Sequence, residues 1–199
     1  MRITAQARKA TRARILVSAR RLFREKGFEG AAIRDIAREA GVAAGTLFNY
    51  FSSKEEIAAA LAHEAAAKAR TDFGKKRRPD ATLREDLFLQ ITTQLRRLKP
   101  LRKFIQTVID AGLPSPAGAG ERLRREQRDT VAEIFHDHGV DADRNPVAAP
   151  LYWALYIGVL SFWGRDRSPK QEDTLAMLDQ AVNMFVAWLE AEAPHRPPT

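Results

Sequence analysis

Apolar residues recur at intervals of three and four along most of the chain, which is the period of one face of an α-helix. Apolar and polar residues never alternate for long, so the pattern predicts no β-strand. Glycines, prolines and capping residues separate the periodic stretches and mark the ends of the helices. The predicted helices cover about residues 9–26, 32–40, 44–50, 54–70, 82–97, 101–111, 121–138, 147–164 and 169–191. We therefore predict an all-α protein.

The two C-terminal helices are apolar on more than one side. In the last helix, one stripe consists of Leu175, Leu178, Val182, Phe185 and Leu189, and a second consists of Met177, Ala181, Met184 and Trp188. Segment 151–163 is apolar nearly all round. Such helices either form the centre of a helical core or bury one side against a second copy of the chain. For a homodimer, the predicted interface residues are Leu155, Val159, Phe162, Leu178, Val182, Phe185 and Leu189.

The composition is that of a globular protein, with 45% apolar and 29% charged residues in a chain of 199. The absence of cysteine excludes disulfides, thiolate zinc sites and a cysteine nucleophile. The most apolar stretch, residues 151–163, is too short to span a membrane. Residues 1–14 are basic and polar, unlike a secretion signal. We expect a cytoplasmic protein without a membrane partner.

Positive charge is concentrated in the N-terminal two-fifths of the chain. Residues 1–78 contain 18 Lys and Arg against 8 Asp and Glu, whereas residues 79–199 contain 15 against 17. This asymmetry favours an N-terminal part that faces a polyanion, although a basic solvated face gives the same balance. The charge balance changes at segment 74–80, which combines Gly, Pro and four basic residues and is the predicted domain boundary.

The segment REAGVAAGTLFNYF (38–51) places a glycine turn directly before a short helix rich in aromatic residues. Gly41 can adopt the left-handed conformation that ends a helix. At about 100° per residue, Leu47 and Phe51 share the inward face of the short helix. Its outward face consists of Gly45 and Asn49, with Thr46 and Phe48 on the flanks. The spacing fits a helix-turn-helix, whose second helix enters the DNA major groove, and also a plain helical hairpin. The surrounding basic charge favours DNA.

The longer segment GFEGAAIRDIAREAGVAAGTLFNYFSSKEEI (27–57) resembles the DNA-binding segment of the TetR family of bacterial transcriptional regulators. The resemblance implies a helix-turn-helix DNA-binding domain at 1–53, a connecting helix and basic linker at 54–78, and a helical ligand-binding and dimerisation domain at 79–199. It also implies a regulator, not an enzyme. Such a protein is expected to bind a palindromic operator in double-stranded DNA as a homodimer through its last two helices. As a repressor, it would be released by a small-molecule effector.

The resemblance also implies roles for matching positions in DNA binding. The implied DNA-binding residues are Arg34, Ala43, Ala44, Gly45, Thr46, Phe48, Asn49, Tyr50 and Lys54. Arg34 would contact guanine, unless it contacts phosphate or pairs with Asp35 or Glu39. Thr46 and Lys54 match positions that contact phosphate, and Asn49 could bind adenine.

Five positions depart from the family pattern, and two of them, Ala43 and Ala44, carry no hydrogen-bonding group. Phe48 lacks the tyrosine hydroxyl that usually bonds phosphate, and Ala31 and Ala32 replace threonines that cap the second helix. Direct contacts to bases are therefore expected to be few, and binding is expected to depend strongly on salt. The basic residues at 8–14 could form a flexible arm, either on the DNA or in solvent.

The C-terminal half offers candidates for an apolar or aromatic effector pocket, each of which could equally be ordinary core. They are Phe88, Ile91, Phe104, Val108, Phe135, Tyr152 and Tyr156. No cofactor or metal is predicted, because His136 and His138 would point about 200° apart on a helix. Two alternatives remain open, a helical enzyme or metal-binding protein and a protein that binds anionic lipid. The N-terminal segment lacks the apolar face that lipid binding needs.

Overall fold

The computed structural model describes residues 4–112, 119–141 and 145–192, and within these residues all regular secondary structure is helical. The α-helices are α1 (Ala5–Gly30), α2 (Ile33–Glu39), α3 (Ala44–Phe48), α4 (Lys54–Lys76), α5 (Leu83–Leu98), α6 (Ile105–Gly112), α7 (Ala119–Asp137), α8 (Ala148–Arg165) and α9 (Glu172–Glu192). Two short 3₁₀ segments, Lys99–Phe104 and Pro169–Gln171, precede α6 and α9. The all-α prediction is confirmed.

Helix α1 begins earlier than the apolar pattern predicts. The hydroxyl of Thr4 accepts a hydrogen bond from the backbone N–H of Ala7 at 3.1 Å and caps the helix, so the helix starts at Ala5. The apolar stripe that indicated this helix starts only at Ile15, which is why the first turn was missed. At the other end, Gly27 (φ 74°) interrupts the helical geometry where the sequence predicted a stop.

The chain divides into two compact units. The first unit comprises Met1–Glu64 and Pro100–Leu123, and the second comprises Ala65–Lys99 and Arg124–Thr199. Each unit is thus built from two separate stretches of chain. The predicted functional division at residues 53 and 78 follows the chain in order, and it stays a prediction.

In the first unit, an aromatic cluster supports α1. The rings of Phe23 and Phe28 lie 5.1 Å apart between centroids, and Phe104 lies 5.3 Å from Phe23 and 5.5 Å from Phe28. The three rings are all buried. Offset and edge-on ring pairs of this kind stabilise a core beyond the area they bury.

In the second unit, α5, α8 and α9 pack together around a core of aliphatic and aromatic side chains. The core residues with no exposed surface are Leu87, Ile91, Val159, Leu178 and Val182. Helix α5 begins with a capping box, in which Thr82 and Glu85 bond each other's backbone N–H groups. Around the core, Phe185 lies 6.1 Å from Phe135 and 5.7 Å from Tyr152 between ring centroids.

A buried ionic cluster joins the segment after α4 to α5 and to the end of α7. Asp86, which is 1% exposed, accepts a hydrogen bond from Nε of Arg77 at 2.8 Å, and Nε2 of His138 lies 2.7 Å from the same carboxylate oxygen. Arg77 also donates to Asp137, and this contact lowers the pKa of Asp137. His138 is therefore held by the buried Asp86 carboxylate and is not a solvated side chain at the end of α7.

No helix in the described part of the chain is long and apolar enough to cross a membrane. Across the same residues, no three His, Cys, Asp or Glu side chains are grouped as metal ligands would be.

Candidate nucleic-acid interface and effector cavity

The turn between α2 and α3 is a Schellman motif. Gly41 has φ 67°, its N–H donates to the carbonyl of Arg38 at 3.2 Å, and the N–H of Val42 donates to the carbonyl of Ala37 at 3.0 Å. These two bonds satisfy the last carbonyls of α2 and turn the chain sharply. Ala32 and Ala43, which precede α2 and α3, provide no side-chain cap.

Helix α3 is anchored on one side and open on the other. Leu47 is fully buried and Phe51 is 1% exposed, so both point into the first unit as predicted. Phe48 is 52% exposed, and Gly45 and Asn49 are also exposed. Thr46 and Tyr50 are half-buried at the edges of this face. We call Gly45, Thr46, Phe48, Asn49 and Tyr50 the α3 face; of the other predicted contacts, Ala43 is exposed and Ala44 half-buried at the start of α3.

Arg34 is exposed on α2, and the acids that could have paired with it are bonded elsewhere. Asp35 accepts hydrogen bonds from Lys26 and Arg38, and Glu39 accepts from Arg21. These contacts lower the pKa of both carboxyl groups, chiefly through the Lys26 bond for Asp35 and the Arg21 bond for Glu39. Within residues 4–112, 119–141 and 145–192, the Arg34 guanidinium has no ion-pair partner, so its charge is available to a ligand.

Lys54 is held against the end of α1. Its Nζ donates to the carbonyl of Phe28 at 2.8 Å and lies 4.3 Å from the centroid of the Phe28 ring. The side chain is only 17% exposed. Lys54 therefore has a structural role in the unbound chain, and a phosphate contact would use only the edge of its ammonium group that remains open.

The basic residues at 8–14 do not form a flexible arm, because they lie on the first turns of α1. The guanidinium of Arg8 lies 5.9 Å from the centroid of the Tyr50 ring, and that of Arg12 lies 5.1 Å from the Phe51 ring. These cation–π contacts hold positive charge beside the end of α3.

Two glycine substitutions separate the roles of the turn and of the α3 face. Gly41→Ala is expected to destabilise the protein by about 1–2 kcal/mol, because an L side chain is strained at positive φ. Gly45 has no such φ, and no atom lies within 4 Å of an added Cβ. Gly45→Ala should therefore keep or slightly raise the unfolding free energy while weakening DNA binding. Urea unfolding and DNA titration of both variants check this; equal stability losses would contradict it.

The seven predicted pocket residues are divided between the two units. Phe104 and Val108 belong to the first unit, where Phe104 packs in the aromatic cluster with Phe23 and Phe28. The other five, Phe88, Ile91, Phe135, Tyr152 and Tyr156, belong to the second unit. Phe104 thus belongs to the core that supports α1, and its role in a pocket stays a prediction. Burial raises the pKa of Tyr152 and Tyr156, so both phenols stay protonated.

A half-open cavity of about 170 Å³ lies between α7 and the first turns of α8. Its lining consists of Arg124, Gln127, Arg128, Val131, Ala149, Pro150, Tyr152 and Trp153. Tyr152 is among the seven predicted pocket residues, and the apolar side chains of Val131 and Trp153 were also candidates for a pocket wall. The four α7 residues have the spacing i, i+3, i+4 and i+7 of one helix face, a pattern that could have indicated them.

The predicted interface residues divide into exposed and internal positions. Phe162 is 40% exposed and Leu155 is half-buried, on the outward face of α8 with Leu151 and Gly158. The other five are corrected to the subunit core, because the single chain already buries them; they are Val159, Leu178, Val182, Phe185 and Leu189. On α9, the second stripe remains open, with Met184 63% exposed.

Comparisons with known proteins agree with this geometry. Residues 15–61 match the model of the family described as bacterial regulatory proteins, tetR family. The transcriptional repressor AcnR of Corynebacterium diphtheriae is 46% identical over 57 residues, which are 29% of this chain and 30% of that protein. The match therefore spans less than a third of that relative.

Two solved structures share the fold over nearly the whole chain. A TetR transcriptional regulator from Rhodococcus sp. RHA1 is 23% identical with a TM-score of 0.69, covering 90% of this chain and 97% of that one. The repressor FadR of Thermus thermophilus, in complex with lauroyl-CoA, is 22% identical with a TM-score of 0.64, covering 94% and 98%. These three proteins are named as transcriptional regulators or repressors. Residues 15–61 thus match the tetR family, and the fold of nearly the whole chain is that of solved TetR regulators.

Proposed function

We propose that this protein is a transcriptional repressor that binds a palindromic DNA operator as a homodimer and is released by a small apolar or aromatic effector. The observation that carries the proposal is the α3 face, an exposed surface of small, polar and aromatic side chains fixed from beneath by Leu47 and Phe51. A short helix mounted in this way can enter a major groove about 12 Å wide.

Different side chains around the α3 face contact the bases and the phosphates of the DNA. Asn49 has an exposed amide that can bond adenine, and Arg34 has an exposed guanidinium that can bond guanine. Thr46 and Tyr50, at the edges of the face, can donate hydroxyl groups to phosphate. Arg8 and Arg12 on α1 add positive charge beside them, which favours strongly salt-dependent binding.

A homodimer is supported by the apolar surfaces that α8 and α9 leave uncovered. On α8, Leu151, Leu155, Gly158 and Phe162 follow one helix face, and on α9 the second stripe of Met177, Ala181, Met184 and Trp188 follows another. Exposed apolar stripes on adjacent helices are typical of interfaces between copies of a chain. Two copies would present two α3 faces to a palindromic site.

Release by an effector is supported by the cavity between α7 and α8, whose apolar walls suit an apolar or aromatic molecule. FadR, which shares the fold, holds lauroyl-CoA. Repression is supported by the matched relative AcnR, which is a transcriptional repressor.

Asn49→Ala tests the assignment of the α3 face. Genomic fragments that the protein retains identify an operator, and the variant is titrated with this duplex and with a scrambled one. Loss of the adenine contact is expected to cost about 1–3 kcal/mol on the operator and nothing on the scrambled duplex. Light scattering of the complex should find chains in multiples of two.

Thr46→Val is the matched control, because it removes a hydroxyl assigned to phosphate and keeps the side-chain shape. It should weaken binding to both duplexes by the same factor. If Asn49→Ala also weakens both duplexes equally, the role given to Asn49 is wrong. Binding to anionic vesicles without binding to any duplex would favour the lipid alternative and overturn the proposal.

A further inference from the structure

The cavity between α7 and α8 has the size of a small molecule. Its volume of about 170 Å³ is close to the about 150 Å³ of a protein cavity that holds one benzene molecule. Val131, Pro150 and Trp153 form apolar walls. The Trp153 ring is itself supported by Tyr156, at 5.7 Å between centroids. These walls suit a flat, apolar group of about the size of one or two aromatic rings.

One buried amide in the lining has an unused polar atom. Gln127 is 3% exposed, and its Oε1 accepts hydrogen bonds from Nε2 of Gln90 at 3.1 Å and from Nε2 of Gln94. Oε1 of Gln90 in turn accepts from the Tyr152 hydroxyl at 2.6 Å. Among the described residues, Nε2 of Gln127 has no hydrogen-bond partner.

The unused atom is a consequence of the arrangement of the four side chains. If the amide oxygen and nitrogen were exchanged in all three glutamines, Oε1 of Gln127 would be the atom without a partner instead. In either direction, one polar atom of a buried side chain in the cavity lining remains unsatisfied. Such atoms are uncommon in native proteins, because an unmade buried hydrogen bond is costly. A ligand with a polar group can satisfy it.

The electrostatic character of the cavity favours an anion. Arg124 and Arg128 line it, and the lining residues include no carboxylate. The cavity also lies at the N-terminal end of α8, which has no acidic residue in its first turn and carries a partial positive charge. A carboxylate is the common organic anion that two guanidinium groups bind well.

We propose that this cavity binds a small aromatic carboxylic acid. The ring packs against Val131, Pro150 and Trp153, the carboxylate lies toward Arg124 and Arg128, and Gln127 bonds a polar atom of the ligand. The inference rests on the proposed function in taking this acid as the effector. A long-chain acyl-CoA is too large for a cavity of about 170 Å³.

The test uses benzoate, phenylacetate, cinnamate and 1-naphthoate, each paired with its neutral primary amide. The whole chain is titrated by calorimetry, and tryptophan fluorescence, to which Trp153 in the cavity wall contributes, gives a second readout. At least one acid should bind about tenfold more tightly than its amide, because only the acid gains charge-assisted hydrogen bonds. Equal binding of acid and amide, or no binding by any acid, overturns the proposal.

Two variants locate the site, and a third is their control. Arg128→Gln, on the exposed rim of the cavity, should lower the affinity for the acid about tenfold and leave that for the amide unchanged. Gln127→Leu should weaken both ligands. Arg122→Gln makes the same charge change on α7 outside the lining and should change neither affinity. An acid that binds Arg128→Gln as tightly as the original chain overturns the proposed site.

Operator DNA added to the same samples separates this inference from the proposed function. Binding of the acid together with release of the DNA supports both. Binding of the acid without release supports the site and overturns release by this effector. If no duplex binds while the acid does, the proposed function fails and the site stands. Release of DNA by lauroyl-CoA while no acid binds supports regulation by an effector and overturns the inference.

Discussion

Leu47→Ala is expected to lower the free energy of unfolding of the first unit by about 2–5 kcal/mol and to abolish binding to the operator. Leu47 is fully buried and is the single buried residue within α3. A helix of five residues is not stable alone, so its position depends on tertiary contacts. Without this anchor, the α3 face loses the fixed geometry that base contacts require.

Amide hydrogen exchange of residues 33–51 is the appropriate measurement, because all three tryptophans belong to the second unit and fluorescence would not report the change. Leu47→Met is the matched control. Volume is nearly conserved in that variant, so it should cost less than about 1.5 kcal/mol and keep DNA binding. Unchanged exchange in Leu47→Ala would contradict the anchoring role.

Asp86→Ala is expected to lower the free energy of unfolding of the second unit by about 3–5 kcal/mol, toward the lower end because Arg77 keeps Asp137 as a partner. The carboxylate is almost fully buried and is shared by Arg77 and His138. Its removal takes one polar contact from each of Arg77 and His138, which are partly buried. It also removes the ionic contact between α5 and the residue that follows α7. Urea unfolding followed by tryptophan fluorescence measures the loss.

Asp137→Ala provides a control at the same arginine. Asp137 also accepts a hydrogen bond from Arg77, but its side chain is 44% exposed. An exposed ion pair typically contributes at most about 1 kcal/mol. Comparable losses in the two variants would show that burial of Asp86 does not set the strength of this cluster.

Features that depend on local periodicity could be predicted from the sequence. The positions of the helices, the turn at Gly41 and the inward direction of Leu47 and Phe51 all follow from the spacing of residues within a few turns of each other. The start of α1 was missed because its first turns have no apolar stripe and only Thr4 indicates the end of the helix.

Features that join distant residues could not be predicted in the same way. Gln127 and Gln90 are 37 positions apart in the sequence, and His138 and Asp86 are 52 apart. Nothing in the spacing of single helices indicates such contacts. The two apolar stripes of α9 posed a related problem, because periodicity shows that both are apolar without showing which one the subunit itself buries.

The aromatic cluster of Phe23, Phe28 and Phe104 limits how this protein can be recombined with its relatives. Phe104 comes from a stretch of chain far beyond the helix-turn-helix, yet it covers two rings of α1. A fragment that stopped after α4 would expose both rings to water. A chimaera with a foreign N-terminal domain would need a residue of matching shape at position 104. Grafting of new operator specificity is therefore expected to succeed by exchange of side chains on the α3 face more readily than by transplanting whole domains.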